Sequence, residues 1–582
     1  MAKLFLEAGD IFTLATGATV YGSTGTERLV VRSGVSGFTV DANVERMDLA
    51  GASSAYNYQQ TGNRLSVYSG STLVLTTTVQ DDSNGTQLVF TNGAVDVKVG
   101  AGGMTLGGAT VSTTAGAVTP VTIDTGTTTG SGSGGSGGGG TSSLMTTATA
   151  RSATDSDITS LKMLDEAEVK GVIDAPDKKW LTTSVSYSFN VTMPAEYSSY
   201  SGDSNLTTGW QALDSNEMAA VRSVMPKMAE IVSLLFPETS GSTGDIRFSA
   251  NTQTGSAGYA FGPETSPGYM GDVFLNVANR SDGATHYSQG EYGYLTVLHE
   301  VGHAMGLKHS FEAPTVPSGT DTYDYTIMSY TATRNLKPNF TYNSSTQGAN
   351  VEYGSTAYPT GYHIDDIAGL QALYGANLQT RNSTDSYALS FDQYKYLTIW
   401  DAGGTDTINA STATGRCTID LTPGTLSTVD YRSLEDQKTT TTQWYAQQGR
   451  SDSTLTDWIA SIYSGTNSSK LYTGENNLGI AWGVVIENVT TGSGNDTIKD
   501  NFVNNNIQTG AGNDTIDLGA GGFDTVDGGL GTDTVRLLTF TKSQVQQEKQ
   551  ADGSLLIVTS TCAATLIGIE AVTCSDGALT LL

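Results

Sequence analysis

Residues 294 to 309 read Tyr294-Leu-Thr-Val-Leu-His-Glu-Val-Gly-His-Ala-Met-Gly-Leu-Lys-His309. In a helix, His299 and His303 fall one turn apart on one face, so both imidazoles can reach a single ion. Glu300 projects beside that face and is placed to act as a general base. Gly306 permits the left-handed turn that ends a helix, which lets the chain swing His309 round as a third ligand. Three neutral imidazoles leave a fourth position open for water, the arrangement of a catalytic zinc site and not of a structural one. These are three of the chain's five histidines. His286 and His363 carry no such pattern around them and read as ordinary residues.

Outside this stretch, composition bounds the answer. A chain of 582 residues is too long for one hydrophobic core and should divide into two to four domains. With 69 glycines and 15% charged residues it favours turn-rich β structure. The 58 acidic against 29 basic residues leave a formal charge of −29, which phosphate backbones and anionic membrane surfaces would repel. No nucleic-acid partner is therefore expected, and cations are the natural ligands. No run is long enough to be a transmembrane segment, and the opening Met1-Ala-Lys-Leu-Phe-Leu-Glu7 does not read as a cleavable leader. Cys417, Cys562 and Cys574 form no CxxC pair; Cys562 and Cys574 are candidates for a disulfide, with at least one thiol left over.

Residues 1–120 consist of short runs of Val, Thr, Leu and Tyr broken by Gly, Ser, Asn and Asp, such as Arg28-Leu-Val-Val-Arg32 and Gln87-Leu-Val-Phe90. That texture predicts an all-β domain. It holds no histidine, no cysteine and no motif, and its role stays open between an attachment or binding module and a propeptide removed at the tether. Residues 121–143, nearly all Gly, Ser and Thr, predict a flexible linker. From 144 to 377 helical periods appear. Met218, Val221, Met225, Met228, Val232 and Leu235 form one apolar face, with Asp214 and Glu217 placed as an N-terminal cap and Pro226 expected to kink or split the helix.

Strand texture returns from 378 to 582. TGSGNDTIK at 491–499, TGAGNDTID at 509–517 and GGLGTDTVR at 528–536 repeat at nine-residue spacing, with one residue inserted near Gly522 and a degenerate unit at 500–508. A nine-residue period of glycines, an aspartate and an aliphatic residue is the signature of a calcium-binding parallel β-roll. Gly492, Gly494, Gly510, Gly512, Gly529 and Gly531 allow the tight turns. Asp496, Asp514, Asp524 and Asp533 supply hard oxygen ligands for calcium, and Ile498, Ile516, Val526 and Val535 are expected to point inward. Asp406, following Gly403 and Gly404, is a further candidate calcium ligand.

The pattern HExxHxxGxxH resembles the metzincin metalloproteases. That resemblance implies a methionine turn beneath the metal, supplied here by Thr326-Ile-Met-Ser-Tyr330 with Met328 as the floor. Tyr330 is similar to the tyrosine of the serralysin and astacin branches, which implies a hydroxyl able to ligate zinc and then support the transition state. Gly271-Asp-Val-Phe-Leu-Asn276 resembles the edge strand beside which these enzymes lay an extended substrate, making Val273 and Leu275 candidate substrate-contact residues. Residues 365–375 resemble the helix that closes the serralysin catalytic domain. Residues 398–408, and 486–489 leading into 492–496, resemble the entry to that family's calcium roll. The likeness covers about 150 to 582. Two departures stand out: Ser310 occupies a place where the family commonly has proline, and the stretch from His309 to Met328 is short.

The expected fold class is multidomain: an N-terminal all-β domain, an α+β metzincin catalytic domain and a C-terminal parallel β-roll of the RTX type. The resemblance implies one catalytic Zn2+, several structural Ca2+ and protein or peptide substrates. It also implies a type I exporter that reads an uncleaved C-terminal signal ending in Ser575-Asp-Gly-Ala-Leu-Thr-Leu-Leu582. Loops of this kind stay empty in cytosol and fill in millimolar calcium, so folding would be coupled to arrival outside the cell. The expected location is secreted and extracellular, with retention at the cell surface as a variant. The competing reading is a calcium-dependent adhesion protein carrying the protease fold as a passenger.

Overall fold

The computed structural model describes residues 2–121 and 166–582, with short gaps in both. The expected linker, apart from Val121, lies outside the described residues. Two compact units form, residues 1–144 and 145–582.

In the first unit, strands alternate between two seven-stranded sheets. Ala2–Phe5 pairs in parallel with Ala18–Tyr21, which pairs with Phe38–Val40. On the other side Ile11–Leu14 pairs in parallel with Arg28–Val31, which pairs with Arg46–Leu49. The chain thus winds as a parallel coil, and only from Asn57 onward does it turn to antiparallel hairpins. Alternate residues face inward, so Leu29, Val31, Phe38, Val40, Met47 and Leu49 line a core of their own. The sequence texture carries the strands but not the coil, because no residue identity recurs at a fixed period.

In the second unit, a four-stranded sheet runs in the order Tyr187–Phe189, Ile246–Asn251, Val273–Asn276, Gly258–Ala260. Only Gly258–Ala260 runs antiparallel to its neighbour, and it forms the edge. Val273 and Leu275 are therefore not substrate-contact residues of an edge strand. Strands pair with their segment on both sides and both side chains are fully buried. The helix Ser215–Ile231 is capped by Asp214 and Glu217 and buries Val221, Met225 and Met228. Of the two outcomes expected at Pro226, splitting does not occur: the helix runs through Pro226 to Ile231, its buried face packed into the core. Leu235 lies beyond the helix and is exposed.

The helix Tyr292–Ala304 packs on the strands Gly258–Ala260 and Val273–Asn276 of this sheet, and the helix Ile364–Tyr374 packs on Glu166–Val172. Its own core continues into the C-terminal part, where strands again alternate between two sheets. Ile419, Ile498, Ile516, Val535 and Val572 stack in one sheet, and Ile408, Val489, Ile507, Val526 and Leu566 in the other. The apolar residue of each rung is buried between the sheets.

One excursion interrupts this coil and breaks the expectation of strands throughout 378–582. Between the strands Arg416–Asp420 and Asn488–Thr490 the chain forms the helices Leu434–Gln447 and Ser453–Ser464. Tyr445, Leu455, Ile459 and Tyr463 pack there against Phe340, Tyr342 and Val351 of the hairpin Leu336–Asn343 and Gly348–Thr356. All three cysteines are free and buried. Cys562 precedes a strand of one sheet and Cys574 ends a strand of the other, so no disulfide joins them.

Candidate active site

His299, Glu300 and His303 project from the helix Tyr292–Ala304, which is buried along most of its length. The helix ends where Gly306 adopts φ +93, a conformation that a side chain would strain; a Cβ there would also press on the Lys178 carbonyl at 2.5 Å. Past this turn, His309 returns towards the helix. Ring centroids of His299, His303 and His309 lie 4.6 to 5.2 Å apart.

The outer nitrogens fix the tautomers. Nδ1 of His299 donates to the Ile327 carbonyl and Nδ1 of His303 to the Leu307 carbonyl, each at 2.8 Å, while Nδ1 of His309 donates to Glu312 Oε1 at 2.9 Å. Each neutral ring then presents a lone pair on Nε2. Nε2 of His303 and Nε2 of His309 face each other at 3.2 Å, and nitrogens of all three rings lie within 4.8 Å of one another. Burial holds His299 well below the usual imidazole range and brings His303 down to about 4, so both stay neutral. Converging neutral lone pairs repel unless a cation sits among them, so the residues fit a zinc ion.

Glu300 is buried, and its Oε2 finds no hydrogen-bond partner. Burial pushes its carboxyl up to about 8, and positive charge among the neighbouring imidazoles would act in the opposite sense. The edge strand approaches so closely that a Cβ on Gly258 would meet Glu300 Cγ at 2.9 Å. Tyr330, largely exposed, places its hydroxyl 2.8 Å from Nε2 of His309. One cleft is lined by Gly258, Tyr259, Ala260, the three histidines, Glu300 and Tyr330.

Met328 is fully buried beneath the helix, its sulfur 3.0 Å from where a Cβ on Gly302 would stand. The short loop after His309 is held by two groups. Lys308 Nζ donates to the carbonyls of Gly171, Glu312 and Pro314 at 2.6, 2.6 and 2.8 Å, and Ser310 Oγ donates to Asp321 at 2.6 Å. Sequence reasoning missed Glu312, Lys308 and the edge strand. The carboxylate three residues after His309 was the available signal for the first.

The C-terminal aspartates form two columns. Oδ1 of Asp496 accepts from the main-chain N–H of Cys417, Oδ1 of Asp514 from Asp496, and Oδ1 of Asp533 from Asp514, at 2.6, 2.8 and 2.8 Å. In the second column Asp524 accepts from Asn505 at 2.9 Å and Asp406 from Asp385 at 2.8 Å. In all five, Oδ2 is buried without a partner. Gly492, Gly494, Gly510, Gly512, Gly529 and Gly531 let successive loops stack, since a Cβ at any of them would press on a carbonyl of the preceding loop. Asp385 and Asp401 join Asp406 in a carboxylate cluster beside Gly403, and neither was singled out from sequence. Buried, unpartnered carboxylate oxygens facing stacked loops fit a hard cation.

Two helical imidazoles, a third brought in by a glycine turn, a methionine floor and an adjacent carboxyl define a metallopeptidase site of the metzincin type. Residues 249–357 match the family model described as metallo-peptidase family M12B, reprolysin-like. Among curated relatives, the chain is 29% identical over 246 residues to metallopeptidase AprA of Pseudomonas marginalis, covering 38% of this chain and 50% of that protein. It is 30% identical over 277 residues to metalloprotease AprA of Pseudomonas entomophila strain L48, covering 43% and 53%. To serralysin C of Dickeya chrysanthemi it is 26% identical over 253 residues, covering 38% and 49%. The chain thus spans about half the length of the curated relatives it matches, and over that span it is similar to the serralysin-like metzincins. Among the described residues, no helix is long and apolar enough to cross a membrane.

Proposed function

We propose that this chain is a secreted zinc endopeptidase that hydrolyses peptide bonds of protein substrates. The observation that carries the reading is the convergence of three Nε2 lone pairs beside the buried, unpartnered oxygen of Glu300. His299, His303 and His309 would hold a zinc ion, which would supply Lewis acidity that brings the pKa of a water molecule towards neutrality. Glu300 takes the proton of the attacking water and then delivers it to the departing amine. The Tyr330 hydroxyl, already at hydrogen-bond distance from His309, turns to donate to the oxyanion. Among the described residues Gly258–Ala260 is an edge strand that lines the cleft, which supports a reading in which an extended peptide lies beside it and presents its carbonyl to these groups.

We read the C-terminal coil as a calcium roll of the RTX type, on the strength of the five half-satisfied aspartates. Calcium would complete its folding outside the cell, in keeping with export by a type I exporter. The N-terminal unit buries a full core of its own, which favours an attachment module over a propeptide. A secreted form beginning near residue 145 by mass spectrometry would reverse that assignment.

Casein cleavage tests the enzyme reading. The wild-type chain should cleave, a zinc chelator should abolish cleavage, and Glu300→Gln should keep its metal and lose at least about 10²-fold in rate. A Glu300→Gln protein that cleaves near the wild-type rate contradicts the reading.

A further inference from the structure

The loop 500–505 departs from its neighbours in a way that bears on where ions sit. Asn505 stands in the register where Asp406, Asp496, Asp514, Asp524 and Asp533 carry a carboxylate, and its main-chain N–H donates to Asp524. Both ends of its amide, however, are engaged. Nδ2 of Asn505 donates to the Glu487 carbonyl at 3.1 Å, to Ile486 at 3.4 Å and to Asn501 Oδ1 at 3.1 Å, while its Oδ1 accepts from Asn501 N at 3.2 Å. Nδ2 of Asn501 donates to the carbonyls of Ile486 at 2.8 Å and Leu421 at 3.3 Å, and its Oδ1 also accepts from Val503 N at 3.2 Å. Both residues are buried.

A calcium ion needs oxygens turned inward with free lone pairs. Here two amide nitrogens are bonded to the carbonyls that would have to turn, each side-chain oxygen already accepts a main-chain N–H, and neither asparagine has the second, unpartnered oxygen that the aspartates offer. From this loop itself, Asn501 and Asn505 thus offer an ion no unpartnered oxygen.

We propose that this rung of the roll closes without an ion, the amides of Asn501 and Asn505 bridging loops that calcium bridges elsewhere. The bridge also has a place in the chain's own layout. Leu421 follows the strand Arg416–Asp420 and Ile486 precedes Asn488–Thr490, so Asn501 ties together the two ends of the helical excursion. The excursion is thereby anchored whether or not calcium is present, while the flanking columns depend on it. This inference rests on the calcium reading of those columns.

Calcium bound per full-length chain, measured by equilibrium dialysis, and unfolding temperature with and without a calcium chelator test it. Asn505→Ala should bind as much calcium as wild type, and its unfolding temperature should fall equally with and without chelator. Asp514→Ala should bind less calcium. Asn505→Asp exchanges a donor for a carboxylate oxygen, so it should bind one more calcium per chain and be less stable than wild type only when calcium is removed. Loss of calcium from Asn505→Ala overturns the ion-free rung, as does an unchanged calcium count in folded Asn505→Asp. Full calcium in Asp514→Ala would instead overturn the calcium reading beneath it.

Discussion

Asp366 accepts the main-chain N–H of Ile327 at 2.9 Å, and the carbonyl of that same Ile327 receives Nδ1 of His299 at 2.8 Å. A carboxylate on the helix Ile364–Tyr374 is thus linked, through the backbone of one residue, to the tautomer of a ligand on the helix Tyr292–Ala304. It also accepts from Thr326 Oγ1 and His363 N. Asp366→Ala should leave buried donors unmatched, costing about 2–4 kcal/mol in denaturant unfolding. Zinc affinity, measured by chelator competition, should fall about 10-fold.

Tyr330 reaches His309 Nε2 through its hydroxyl, and its largely exposed ring packs edge-on against the His309 ring with centroids 4.9 Å apart. Tyr330→Phe should keep the fold and the zinc content while lowering kcat about 10²-fold with little change in KM. Parallel loss of zinc in steady-state and metal measurements would make the hydroxyl a metal-retention group instead.

Asp324 supplies a pH dependence away from the metal ligands. Burial pushes its carboxyl up to about 6, above its unfolded value, although Thr333 and Asn476 donate to it. The folded state therefore holds the proton more tightly, and the stability linked to it is complete below about pH 4 and lost as pH rises through 6. Asp324→Asn should gain on wild type by roughly 2 kcal/mol between pH 4 and pH 7.5 in denaturant titrations. A pH-independent difference would contradict this.

What could be seen in sequence alone was what is local. His299, Glu300 and His303 share one helix, and Met328 and Tyr330 share one turn, so spacing alone brings them together. The repeats around Asp496 and Asp514 were legible because each coil reuses the same residues. Which strand forms an edge is a matter of topology. Val273 and Gly258 sit in short apolar stretches alike in texture, and only the sheet order tells that one is enclosed and the other open. The N-terminal coil was hidden for a related reason: Ala2 lies beside Ala18 and Thr19 beside Thr39, but no residue pattern marks that return. The helices after Ser433 and Asp452 carried good N-terminal caps, yet they interrupt a repeat region whose glycines and aspartates draw the eye to strands.

The central claim is tested most directly by counting metal. Purified full-length protein, dialysed in calcium buffer and analysed by inductively coupled plasma mass spectrometry, should hold one zinc per chain, and His303→Ala should hold none. A folded, calcium-loaded wild-type chain without stoichiometric zinc would contradict the account.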